Sequence, residues 1–138
     1  LGRCPAALKL VREGLASGPE VPTQIELRLV EAGIRADSGQ ADEATRLLQR
    51  EIEDIGTRGT KLSRARLRYA YADLLERTGD VAGAERWFVA AANLDPQGNT
   101  DAEDRLATIR GVVIEYDDSE DSEDSDEPDG PEAAPEDE

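Results

Sequence analysis

The chain has no histidine, no methionine, a single cysteine, one tryptophan and one phenylalanine among its 138 residues, and lysine occurs only twice against fourteen arginines. Each shortage removes a class of chemistry. Without histidine there is no ready general base near neutral pH and no imidazole ligand for zinc. Cys4 has no partner for an intramolecular disulfide, and neither Cys4 nor Ser63 has an imidazole to activate it as a nucleophile. There is no glycine-rich phosphate loop of the G-x-x-x-x-G-K type, no secretory apolar segment and no run of ~20 apolar residues that could span a bilayer. Acid–base work would fall to carboxylates spread over helix exteriors. The expectation is a non-enzymatic protein with no cofactor, metal or membrane attachment, in a reducing, cytoplasmic setting. Lacking Met at position 1 and opening in mid-pattern with "LGRCPAALKL", the chain reads as a fragment of something longer. The arginine bias fits GC-rich coding.

What is abundant is negative charge, and it is unevenly placed. Of 32 acidic residues, thirteen fall between Asp117 and Glu138, where none of the sixteen basic residues lies. The remainder carries nineteen acidic against sixteen basic residues, so most of the net charge of −16 belongs to the tail. Self-repulsion, three prolines and no apolar residue larger than Ala133 or Ala134 leave 117–138 unable to offset the entropy of ordering, and a disordered tail is expected. Ser119, Ser122 and Ser125 sit among acids there, as acid-directed kinases prefer. Residues 1–116 form the one expected domain.

Apolar spacing in that domain is helical. Ala7, Val11 and Leu15 fall four apart; Ile25, Leu29, Ala32 and Ala36 follow, with Thr23 and Glu26 in capping-box spacing. Ala44, Leu47, Leu48, Ile52 and Ile55 trace a third helix, Leu67, Tyr71, Leu74 and Leu75 a fourth, Ala84, Phe88 and Ala91 a fifth. Thr100 and Glu103 announce a sixth, from about Asp101 to Arg110, with Leu106 and Ile109 facing inward. "VVIEY" at 112–116 is compatible with a helix end or an unpaired strand.

The helices also repeat. A glycine followed five residues later by alanine occurs at Gly2/Ala7, Gly39/Ala44 and Gly79/Ala84, and an apolar residue lies four further on, at Val11, Leu48 and Phe88. The third copy is fullest: Ala72, Gly79, Ala84, Phe88, Ala91 and Pro96. This set resembles the tetratricopeptide repeat, and the run "RLRYAYADLLERTGDVAGAERWFVAAANLDPQGNTDAEDRL" is similar to such proteins of high-GC actinobacteria. The resemblance implies an all-α fold, a short right-handed solenoid of antiparallel helix pairs; the alternative is an irregular five- or six-helix domain. It departs from the family in turn-glycine spacings of 37 and 40 residues, and in Glu51 and Gly56 where a small residue and a proline belong. The first copy lacks its leading helix, so Leu8 and Val11 are expected to be partly uncovered. Phe88 is expected between repeats, and Trp87 at the edge of the core or against the closing helix.

The resemblance further implies a concave groove lined by the first helix of each pair, with Arg66, Tyr69, Asp73, Glu76 and Arg77 from one copy and Glu26 and Leu29 from another. Such a set could clamp a peptide or helix of another protein through charge-assisted hydrogen bonds and an aromatic contact. Family members that grip a chaperone's C-terminal carboxylate use Lys and Asn where Tyr69 and Asp73 stand here, so that ligand is not expected. The alternative partner is nucleic acid. Arg58, Lys61, Arg64, Arg66 and Arg68 lie in "TRGTKLSRARLR" without an acidic neighbour, a patch that would neutralise a few phosphates. The tethered acidic tail would compete for the same patch.

Overall fold

The computed structural model describes residues 3–117, and among these it is all-α: six helices and no strand. They are α1 (Arg3–Ala16), α2 (Val21–Asp37), α3 (Ala41–Ile55), α4 (Lys61–Arg77), α5 (Val81–Asn93) and α6 (Ala102–Asp117). None of these helices is long and apolar enough to cross a membrane. Nearly all of the acidic tail, and Gly2 of the first glycine–alanine pair, lie outside the described residues.

The two complete glycine–alanine signatures build the same turn. At the end of α2 the Gly39 N–H donates to Ala36 O at 3.1 Å and the Gln40 N–H to Arg35 O at 2.8 Å; at the end of α4 the Gly79 N–H donates to Glu76 O at 3.1 Å and the Asp80 N–H to Leu75 O at 2.8 Å. Both glycines take positive φ, 84° and 99°, which an L side chain rarely tolerates. One turn into the next helix Ala44 and Ala84 are fully buried, so the paired helices approach closely. The hairpins α2–α3 and α4–α5 are the most extensive helix contacts, and α3 packs on α4, α5 on α6, α1 on α2, and α2 on α4.

Helix starts depart from the expected caps. α2 begins at Val21, with Pro22 in its first turn, where a missing N–H costs nothing; Thr23 is already inside the helix and Glu26 turns away to α4. A capping box forms instead at Thr60 and Ser63, where the Ser63 N–H donates to Thr60 Oγ1 at 3.0 Å and the Thr60 N–H donates to Ser63 Oγ at 3.1 Å. At α5 the Gly83 N–H donates to Asp80 Oδ1 at 2.8 Å, and a Cβ at Gly83 would collide with that carboxylate. The sixth helix runs past the expected Arg110, and 112–116 belongs to it.

Ile25, Leu48, Ile55, Leu67 and Phe88 are the largest fully buried side chains. Of the two residues expected to be partly uncovered, Leu8 is half-buried but Val11 is buried, while Leu10 is exposed. Trp87 is buried and meets Tyr71 of α4 edge to face at 5.2 Å. Glu51 is buried inside the α2–α3 hairpin, where Gln24 Nε2 donates to it at 2.8 Å and Arg28 Nε lies 3.3 Å away. Phe88→Ala should lower the unfolding free energy by about 3–5 kcal/mol in denaturant titration. A loss below about 1 kcal/mol would show that Phe88 is not a keystone of this core.

Candidate functional site

The face shared by α2 and α4 is polar and tied together at one point. Arg66 Nε donates to Glu26 Oε2 at 2.7 Å and Nη2 to Oε1 at 2.9 Å, a two-bond clamp between the helices that also holds the Arg66 guanidinium above its ordinary pKa. Beside it lies an open cavity of about 510 Å³. Leu29 and Ala70 supply its apolar lining, Arg66 and Tyr69 one rim, and Asn99, Thr100 and Asp101 the other.

That second rim is set by a buried carboxylate. Asp95 accepts from the Asn99 N–H at 2.8 Å, the Thr100 N–H at 2.7 Å and Thr100 Oγ1 at 2.7 Å. Burial alone would raise its pKa, but these hydrogen bonds outweigh burial and hold it below the usual 3.8. Thr100 Oγ1 also accepts from the Ala102 N–H at 3.3 Å, so Thr100 works with Asp95 and Ala102 in place of the expected box with Glu103. The loop thereby delivers Asp101 to the Tyr69 hydroxyl, which donates to its Oδ1.

Tyr69 is also held from α6. Arg105 Nη1 donates to the Tyr69 oxygen at 2.9 Å, and Nη2 to Asp73 Oδ1 at 2.9 Å and Glu76 Oε1 at 2.7 Å. Its guanidinium carbon lies 4.8 Å from the centre of the Phe88 ring and 5.6 Å from that of Tyr69. Burial pulls the Arg105 pKa down, but the bonds to Asp73, Glu76 and Tyr69 prevail and leave it raised. Burial and then the bond to Asp101 hold the Tyr69 phenol above its usual range, so it stays a donor at neutral pH.

All seven expected groove residues thus lie on α2 or α4. Glu26 pairs with Arg66, Tyr69, Asp73 and Glu76 gather round Arg105, Arg77 reaches Asp73 at 3.0 Å, and Leu29 lines the cavity. Arg105 itself was not among the expected residues. Its signal was weak: it stands three residues after Ala102 and beside Leu106, on the flank of the apolar stripe of α6.

The basic segment does not form one surface. Arg64 and Arg68 are buried, with relative exposures of 8% and 2%, and Arg68 Nη1 donates to Arg64 O at 3.3 Å. Arg58 is exposed but lies 3.7 Å from Asp54, and Arg66 is spent on Glu26, which leaves Lys61 at the exposed start of α4. The reason is helical geometry: residues 64 and 68 share one face, residue 66 the opposite one. Among the described residues no cluster of acidic or cysteine side chains could hold a metal ion.

Comparisons with protein-family models, with curated proteins and with solved structures find no match to this chain.

The lowered pKa of Asp95 has a definite sign in stability. Its contribution is complete above the ordinary carboxylate range and is lost as pH falls through that range and then through its own lower value. Asp95→Asn should therefore be less stable than the parent near neutral pH, with the gap narrowing by about pH 3 in urea titrations. A gap of constant size would mean that the charge of Asp95 is not what organises the loop.

Proposed function

We propose that the chain is a helical-repeat scaffold of tetratricopeptide type that holds a peptide or helix of another protein on the face made by α2, α4 and the start of α6. Two hairpins closed by the same glycine turn, with alanines buried at the same offset, support the repeat character. The observation that carries the binding role is the open cavity floored by Leu29 and Ala70. Its volume suits a few side chains of a docked segment.

Two of the four exposed large apolar residues among those described flank it by helical spacing. Val30, 49% exposed, follows Leu29 and lies one turn beyond Glu26; Leu62, 42% exposed, lies one turn before Arg66. Exposed apolar residues next to polar groups of fixed geometry are what peptide recognition uses. Nucleic acid is less well supported, since Arg64 and Arg68 are buried and Arg66 and Arg58 face carboxylates.

Peptides selected on the full chain from a random display library should lose about tenfold or more in affinity on Val30→Asp, roughly 1.4 kcal/mol or more, and should lose affinity on Arg66→Ala. They should bind Arg46→Glu, on the exposed side of α3, as they bind the parent. Peptides indifferent to both groove substitutions would refute the groove.

A further inference from the structure

The charges around the cavity are unequally compensated, and the imbalance points to a class of ligand. Arg66 contributes a positive charge to the lining, but both oxygens of Glu26 already lie on its guanidinium at 2.7 and 2.9 Å. Arg105, the next cation along the face, is shared between Asp73 and Glu76. Asp101, on the opposite rim, receives only the neutral hydroxyl of Tyr69, and among the described residues no cation comes within ion-pairing distance of it. It stands just before the first residue of α6, where the partial positive charge of a helix N-terminus favours an anion. Glu103 and Asp104, exposed in the first turn of α6, add negative charge next to Asp101 and likewise have no ion pair among the described residues.

The same cavity is lined by apolar Leu29 and Ala70, and exposed Val30 stands next to Leu29 on α2. A segment filling this space must therefore bring both a cation and a hydrocarbon. We infer that the groove takes a basic peptide segment in which an arginine or lysine, placed on Asp101, stands close to an aliphatic residue that covers Leu29 and Ala70. Tyr69 fits this role. Its phenol holds Asp101 in place, and its ring lines the cavity, where the stem or guanidinium of a bound cation can lie against it. The face already accommodates a guanidinium one turn further along α4, where Arg105 sits among two carboxylates and two rings.

The inference rests on the groove reading above, and the two can fail separately. Basic peptides are drawn to a chain of net charge −16 wherever they land, so their enrichment in a selection is not the readout. The readout is the affinity of a selected peptide for the full chain and for Asp101→Asn, which keeps an acceptor for Tyr69 and removes only the charge. The same peptide with its arginine or lysine replaced by glutamine completes the cycle.

The expected result is about fivefold weaker binding to Asp101→Asn, with no such loss for the glutamine peptide, since its cation is gone. Asp101→Asn combined with Glu103→Gln and Asp104→Asn should weaken binding further and flatten its salt dependence. Equal affinity of the basic peptide for parent and Asp101→Asn would overturn the inference. If the peptides are nonetheless sensitive to Val30→Asp, the groove stands and only its charge preference is wrong; if they are not, both readings fall.

Discussion

A guanidinium held by two carboxylates, a phenol and two aromatic rings ties α6 to α4, and the open face of the protein depends on that tie. Asp73 and Glu76 stand three residues apart on one helix, where two uncompensated carboxylates would repel each other. Arg105 turns that repulsion into a clamp. The planar fork of arginine is what makes this possible: Nη1 serves Tyr69 while Nη2 serves both carboxylates, a division that a lysine ammonium on its single stem would not reproduce in the same plane. The loop that leads into α6 supplies Asn99, Thr100 and Asp101 to the cavity, so the tie made by Arg105 holds the helix that this loop enters.

The clamp works only because the frame beneath it is rigid. Ala44, Ala72, Ala84, Ala91 and Phe88 are all fully buried in one core cluster. Phe88 serves twice, since its ring is both the centre of the core and one of the surfaces under Arg105. Two tyrosines divide the work on α4: Tyr71 packs on Trp87, and Tyr69 meets Phe88 at 5.3 Å and gives its hydroxyl to Asp101 beside the cavity. Asp95 plays the corresponding part in the loop before α6 by gathering Asn99 and Thr100. The face is thus polar at its surface and apolar just below it, with its charged groups placed by hydrogen bonds to two neighbouring elements.

Much of this frame was legible in the sequence. Period-3.6 spacing marks faces that must be buried, and Gly39 and Gly79 announce turns that only a residue tolerant of positive φ makes easily. Those signals are local, and the helices follow from them. The groove residues on α2 and α4 were reached through a family resemblance, residue by residue. What stayed hidden is non-local. Nothing in the spacing says that Glu26 meets Arg66 forty positions away, or that Asp73 and Glu76 await an arginine from α6. The basic run 57–68 reads as one patch in the sequence because adjacency there ignores the helix, which sends Arg64 and Arg68 inward and Arg66 outward. Thr23 and Thr100 carried cap signatures that Pro22 and Asp95 override, since a fixed backbone angle and a buried charge outweigh one side-chain bond.

The most direct measurement of the clamp is a double-mutant cycle between Arg105→Met and Glu76→Gln, read as unfolding free energy. If the guanidinium holds α6 against α4 as described, the two losses will be non-additive, with a coupling of about 1 kcal/mol or more for these partly shielded groups. A coupling within the roughly 0.3–0.5 kcal/mol expected of independent sites would contradict the account.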